Sequence, residues 1–258
     1  MPTDLAADAL GVISGALVGF SLGLVGGGGS ILSVPLMIYL VGVPSVHVAI
    51  GTTAFAVAVN AAATLISHAR MGTVIWSCAG VFALAGMVGA YGGSSLSKVV
   101  DGQKLLVLFA VLMLIIAAVM VVRRSAAGDS DVKLTTKNFP RLLGTGFLTG
   151  ALSGFFGIGG GFLIVPGLMF ATGMVIINAV GSSLVAVTAF GATAAFNYAQ
   201  SGLVDWRLAA MFILGGVCGG LAGGRTAKAL GARRGALNMA FAGIIVVVAL
   251  YMLARSLM

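Results

Sequence analysis

Two stretches of the chain, residues 22–39 and 153–170, share a glycine-rich turn followed by a proline. They read LGLVGGGGSILSVPLMIY and SGFFGIGGGFLIVPGLMF, so that Pro35 matches Pro166 at an offset of 131 residues. One residue is then lost and the offset becomes 130, which aligns Gly51-Thr52-Thr53 with Gly181-Ser182-Ser183. The same offset aligns Gly72 with Gly202, Trp76 with Trp206, Gly89 with Gly219, Gly93 with Gly223 and Lys98 with Lys228. Matches at a near-constant offset over about seventy positions indicate an internal duplication.

The composition is that of a membrane protein. Of the 258 residues, 60% are hydrophobic and 8% are charged, and the mean hydropathy is +1.16. Soluble domains, by contrast, carry about 25% charged residues. No formal charge occurs between Asp8 and Arg70 or between Arg141 and Asp205, and a bilayer crossing needs only about 20 apolar residues. A water-soluble enzyme, a nucleic-acid-binding protein and a disordered chain are therefore excluded.

Each half divides into the same five apolar runs, which predict an all-α polytopic membrane protein. The runs of the first half are Leu10–Val25, Ile31–Val41, Val46–Ser67, Val74–Lys98 and Leu105–Val122. Those of the second half are Leu142–Phe156, Phe162–Ala171, Ile176–Tyr198, Trp206–Lys228 and Leu237–Leu253. We therefore predict an N-terminal transmembrane repeat at 1–122, a basic cytoplasmic connector at 123–140 and a C-terminal transmembrane repeat at 141–258.

The second run of each half is too short to cross a membrane. About 11 helical residues span roughly 16 Å, whereas the hydrocarbon core is about 30 Å thick. We expect each glycine turn to join a broken or re-entrant helix pair, with the turn against protein or a watery cavity because its backbone cannot face lipid. Five segments per half favour inverted repeats whose basic loops are cytoplasmic. Four crossings per half would give parallel repeats, and that alternative stays open.

The glycine turns are the first candidates for a binding site. A glycine turn ahead of a helix presents backbone N–H groups and the positive end of the helix dipole, which bind anions without a charged side chain. Secondary transporters build substrate sites from such interrupted helices. The predicted substrate-binding glycines are Gly26, Gly27, Gly28, Gly29, Gly157, Gly159, Gly160 and Gly161. The alternative is that they only pack helices closely, but the duplication favours binding.

The hydroxyl triplets are the second candidates. Thr52, Thr53, Ser182 and Ser183 lie in the first turns of the third run of each half. Their hydroxyls could donate to a substrate oxygen, or could bond back to a carbonyl of their own helix, which is the commoner fate of a membrane Ser or Thr. The sequence favours neither alternative.

Four further residues are candidates for coupling or for a vestibule, namely His47, its counterpart Asn178, His68 and Arg225. Either histidine could carry a proton during coupling. We favour the alternative interpretation, in which each histidine makes a hydrogen bond at the membrane interface. Arg225 could attract anions, or its side chain could extend to the membrane surface.

The residues that are absent also bear on function. No carboxylate lies deep within an apolar run, whereas cation carriers usually place one on the ion path, so an anionic substrate is favoured. An intramembrane serine protease would need a serine nucleophile, and the nearest motifs, Gly11–Gly15 and Gly150–Gly154, have the wrong spacing. We expect no enzymatic activity, no cofactor and no metal site, since Cys78 and Cys218 provide no metal-ligand spacing.

The duplicated motif resembles that of the sulfite exporter TauE/SafE family, also called the toluene sulfonate uptake permease family. In that family a glycine-rich turn, a Val-Pro pair and a Gly-Thr-Ser-like triplet recur in both halves. The matching residues are Gly26–Gly29, Val34-Pro35 and Gly51-Thr52-Thr53, then Gly157–Gly161, Val165-Pro166 and Gly181-Ser182-Ser183. Residues 202–206, GLVDW, also resemble the Gly-x-Val-Asp-Trp segment of the family. The first triplet departs from the pattern, with Thr53 in place of serine.

The resemblance implies a multi-pass transporter of the bacterial inner membrane that carries sulfur-containing oxyanions such as sulfite, sulfonate or sulfoacetate. Together with the residues it predicts a secondary transporter, more specifically an exporter, whose halves rock by alternating access. An anion channel, or a transporter of another small organic anion, is the alternative. The expected partners are a small anionic substrate and the lipid bilayer, without nucleic acid. The sequence leaves the oligomeric state open, a homo-oligomer included.

Overall fold

The computed structural model describes residues 2–25, 30–122, 129, 132–157, 161–229 and 234–256, and in this part of the chain the protein folds into helices joined by short loops. The helices are α1 (Pro2–Val25), α2 (Ser33–Pro35, continued by a π-helical turn, Leu36–Leu40), α3 (Val46–Arg70), α4 (Trp76–Ser97), α5 (Gly102–Val122), α6 (Phe139–Phe156), α7 (Gly161–Thr172), α8 (Ile176–Gln200), α9 (Trp206–Ala229) and α10 (Arg234–Ser256). Within those residues the only β contact is an isolated bridge between Asp129 and Met174.

Each apolar run of the sequence coincides with one of these helices, and the expected all-α polytopic membrane protein is confirmed. Among the residues that the structure describes, five helices are long and apolar enough to cross a bilayer. Their candidate spans are Ala6–Gly23, Val46–Arg70, Trp76–Ser97, Ile176–Gln200 and Trp206–Gly223. Helices α2 and α7, which contain the repeated prolines, are shorter.

Helices α3 and α8 form the centre of the bundle. In each, 61% of the span is buried, against 33 to 44% in the other three candidate spans. The two helices run antiparallel, because Gly51 near the start of α3 lies against Tyr198 near the end of α8, while Gly191 lies against Ala54 and Ala58. The remaining helices therefore shield α3 and α8 from lipid. A polar site can be accommodated between such shielded helices.

The two halves of the sequence interlock through their first helices. Helix α1 packs along α9, and α6 packs along α4. A methyl group at Gly219 would overlap the carbonyl oxygen of Ala16, and one at Gly89 would overlap that of Phe147. These two contacts occupy positions that the predicted repeat aligns. Small residues of this kind let membrane helices approach closely, which is how such helices associate without a hydrophobic driving force.

Glycines in the left-handed conformation end α3 and α8. Gly72 and Gly202 both have φ of +69°, a region that residues with a Cβ rarely adopt. Each is followed within four residues by the tryptophan that begins the next helix, Trp76 or Trp206. After these tight loops α4 packs along α8 and α9 packs along α3, and both loops lie close to the hydroxyl triplets.

Candidate functional site

The glycine turns are only partly covered by the described residues. Gly26–Gly29 and Gly159–Gly160 lie outside them, so their predicted role stays a prediction. Gly157 closes α6 with a φ of +65°, and Gly161 begins α7; both are buried. A methyl group at Gly157 would overlap the side chain of Ile50. Only glycine therefore fits at the start of the second turn, both in conformation and in space.

The space beside Gly157 is small and apolar. A cavity of about 10 Å³ is lined there by Val34, Val46, Ile50, Leu105, Leu106, Phe109 and Phe156. Such a volume holds at most one water molecule. An oxyanion does not fit beside this end of the turn unless the surrounding helices move apart.

Thr52 and Ser182 each bind a loop that belongs to the other half. Thr52 Oγ1 accepts a hydrogen bond of 2.9 Å from the backbone N–H of Asp205, and Ser182 Oγ accepts one of 2.9 Å from that of Ile75. Ile75 and Asp205 are themselves matching positions, directly before the tryptophans of α4 and α9. Both side chains are buried, and neither hydroxyl donates a hydrogen bond to any residue that the structure describes. Each therefore retains an O–H donor for another acceptor.

The other hydroxyls of the triplets bond to their own helices. Thr53 Oγ1 donates to the Ala49 carbonyl at 2.7 Å, and Ser183 Oγ donates to the Val180 carbonyl at 2.8 Å. The sequence left two roles open for all four residues, and the structure separates them by position. The middle residue of each triplet bonds across the halves, whereas the last bonds within its helix.

The two histidines make hydrogen bonds at the ends of helices. His47 Nε2 lies 3.1 Å from the Ser97 carbonyl oxygen and 3.2 Å from that of Val100. Because both partners are acceptors, Nε2 is the protonated nitrogen in this arrangement. His68 Nδ1 lies 3.0 Å from Thr73 Oγ1, in the loop between α3 and α4. Both histidines thus make hydrogen bonds, and a role of either one in coupling stays a prediction.

Asn178 and Arg225 are the two remaining candidates. Asn178 lies in the first turn of α8 and is half-buried. Arg225 belongs to α9, and its side chain lies outside the described part of the chain. Among the described residues, no group of three or more His, Cys, Asp or Glu side chains could hold a metal ion.

Sequence reasoning missed a polar cluster where α4 and α8 end. Lys98 Nζ donates to Asn197 Oδ1 at 2.7 Å, to the Asn197 carbonyl at 3.2 Å and to Ser201 Oγ at 2.9 Å. Asn197 Nδ2 donates in turn to Ser94 Oγ at 2.7 Å, and the Tyr198 ring centroid lies 5.9 Å from the ammonium. No carboxylate within the described residues pairs with Lys98, so its charge remains available to attract anions. The only sequence signal was the alignment of this lysine with one in the other half.

A larger cavity of about 250 Å³ lies where α3 and α9 begin. Its lining is Ala7, Val41, Gly42, Val43, Pro44, Ser45, Val48, Asp205 and Leu208. The helix starts beside it are already capped, because Ser45 Oγ accepts from Val48 N–H at 3.4 Å and Asp205 Oδ1 accepts from Leu208 N–H at 3.0 Å. The carboxylate also repels anions, so this cavity is a poor resting site for an oxyanion.

These features define a multi-pass α-helical membrane protein whose N-terminal and C-terminal parts exchange hydrogen bonds through buried hydroxyls. The chain belongs to the sulfite exporter TauE/SafE family, whose sequence model matches residues 11–252. This confirms the resemblance noted in the sequence.

Relatives with described functions agree with this assignment. Over 244 residues the chain is 51% identical to a probable membrane transporter protein of Xylella fastidiosa, with 94% of each chain covered. It is 27% identical over 213 residues to the probable membrane transporter protein YdhB of Bacillus subtilis, covering 81% of this chain and 86% of that one. No solved structure matches. The protein is therefore a membrane transporter, and neither the family nor these relatives indicate a catalytic function.

Proposed function

We propose that this transporter exports small sulfur-containing oxyanions, such as sulfite, sulfonate or sulfoacetate, across the bacterial inner membrane by alternating access. The main support for this proposal is the matched pair of hydrogen bonds that join Thr52 to Asp205 and Ser182 to Ile75. Each gives one half a buried hydroxyl with an unused O–H donor at its contact with the other half. Neutral donors of this kind, beside helix ends, suit an anion. Membership of the sulfite exporter TauE/SafE family supports a sulfur-containing oxyanion as the substrate.

The proposed architecture is a pair of inverted repeats, 1–122 and 141–258, joined by a cytoplasmic connector at 123–140. Antiparallel packing of the matching helices α3 and α8 supports inversion. A re-entrant α6–α7 pair is supported by the connector, because Asp129 donates its N–H to the Gly173 carbonyl after α7 at 2.9 Å, while α6 begins at Phe139. The start of α6 and the end of α7 therefore both lie beside the connector, as expected for a re-entrant pair.

The proposed cycle follows from the position of the two hydrogen bonds. Thr52 lies near the start of α3 and Ser182 near the start of α8, which are at opposite ends of an antiparallel pair. With both bonds formed, the cavity beside Gly157 is too small for an oxyanion. Opening to one side breaks one bond, and the released amide and hydroxyl then donate to the anion. When that side closes and the other side opens, the hydrogen bond of the other half breaks, and its amide and hydroxyl donate to the anion in the same way.

Transport of radiolabelled sulfite into proteoliposomes tests the proposal. We expect saturable uptake by the wild type, and at least about a tenfold loss when Gly29→Val and Gly160→Val remove backbone access in both turns. Gly80→Val is the matched control, because an added Cβ there meets no atom within 4 Å. Uptake that is unaffected by the double substitution would contradict the glycine-turn site. Flux that does not saturate would favour a channel.

A further inference from the structure

The side chain of Asn60 is buried in the middle of α3 without a hydrogen-bond partner. It is 3% exposed, and neither Oδ1 nor Nδ2 is paired with any residue that the structure describes. The amide packs against Gly216 of α9, at a point where even a methyl group on that glycine would overlap it. Buried unpaired polar groups are rare in native proteins and destabilise the fold, most of all away from water. Packing alone does not account for an asparagine here.

The matching position of the other half carries an apolar side chain. Phe190 of α8 lies against Gly86 of α4 as Asn60 lies against Gly216 of α9. The Phe190 ring stacks on Phe82, with ring centroids 6.1 Å apart. The same glycine-lined recess is therefore filled in the second half without any polar atom. Since the fold does not require an amide at this depth, its presence in the first half points to a ligand.

We propose that Asn60 is a substrate-binding residue that recognises a monoprotonated oxyanion within the first half. The proposal rests on the function proposed above and specifies the protonation state of the substrate. A carboxamide offers both N–H donors and an acceptor oxygen. An anion that carries charged oxygens and one O–H group, such as hydrogen sulfite, pairs with both atoms of the amide. A fully deprotonated oxyanion would leave Oδ1 unpaired.

The position of Asn60 on its helix fits this role. It follows Thr52 by eight residues, which is about two helical turns or 12 Å, and shares with it one broad face of α3. That face also carries Ala49 and Ala56, which pack with Phe212 of α9. An anion released from the triplet of the first half therefore meets the Asn60 amide next along the interface between α3 and α9.

Leucine substitutions at the two matching positions test the inference. Asn60→Leu removes two unpaired polar atoms at similar volume, so we expect an unchanged or raised melting temperature. We also expect a KM for sulfite that is about tenfold higher or more, because a hydrogen bond to a charged group is lost. Phe190→Leu is the matched control, for which we expect a lower melting temperature, from the cavity it leaves, and an unchanged KM.

Stabilisation of each purified protein by added sulfite, measured as a shift of the melting temperature, reports binding without transport. The shift should be present in the wild type and in Phe190→Leu and lost in Asn60→Leu. A lower intrinsic melting temperature of Asn60→Leu would overturn the inference by showing that the amide supports the fold. An unchanged KM or sulfite shift in that variant, or no shift in the wild type, would overturn it as well. A wild type that binds sulfite without transporting it contradicts only the proposed function.

Discussion

The interface of α1 with α9 and the interface of α4 with α6 share a backbone arrangement but differ in the side chain that enters each from the bundle centre. In both, glycines such as Gly219 and Gly89 lie directly against carbonyl oxygens of the partner helix. Asn60 enters the first interface and Phe190 enters the second. Both interfaces thus have the same close helix packing, whereas the side chains that enter them differ in polarity. Selectivity among anions should be sought where the two halves differ.

The largest effect on stability is expected at the glycines that both interfaces share. Gly89→Leu and Gly219→Leu each place a side chain into a partner backbone that cannot move aside, so each should destabilise the protein by about 3 kcal/mol or more. The yield of monodisperse protein in detergent and its melting temperature measure the loss. Gly92→Leu is the control, because it lies on α4 with no atom within 4 Å of an added Cβ. If only one of the two glycines tolerates leucine, the interfaces are not equivalent.

The sequence predicted the helices but not the contacts between them. Repeated glycine turns and prolines, such as Pro35 and Pro166, located every helix because apolar runs and turn residues are local signals. The bond from Asp205 to Thr52 joins residues 153 positions apart, and no local pattern determines which loop meets which helix. No local pattern marks Asn60 as a binding residue either. Its lack of a partner is a property of the folded chain.

The hydroxyl pair should give matched, intermediate effects. Thr52→Val and Ser182→Ala each leave one loop N–H without its acceptor, which should destabilise the protein by about 1 to 2 kcal/mol. The two bonds share no atoms, so the losses should add in the double variant to within about 0.5 kcal/mol. Thermal unfolding in detergent measures both. Thr64→Val on α3 is the control, since its hydroxyl bonds only within its own helix, and a non-additive double variant would reveal coupling.

A smaller effect is expected at Lys98, where the halves again differ. Asn197 and Ser201, which accept hydrogen bonds from Lys98, match Ser67 and Met71 of the first half. Lys98→Met should destabilise the protein by about 1 kcal/mol, since the lost bonds involve a charged but partly solvated group. It should also lower kcat/KM for sulfite several-fold at low ionic strength by removing a positive charge. Lys98→Arg should retain the rate, and equal rates for both variants would remove the lysine from the transport path.

The smallest effect is expected at the ion pair that joins α1 to α9. Arg207 and Asp8 approach to 2.6 Å, but the Arg207 side chain is 57% exposed. The matching positions, Ser77 and Phe139, cannot form such a pair. Asp8→Asn should therefore change stability by less than about 0.5 kcal/mol, and about 1 M salt should abolish the difference through screening. Melting temperatures at low and high salt measure it. A larger loss that persists in salt would mean that this charge pair, as well as the shared glycine contacts, holds the first interface together.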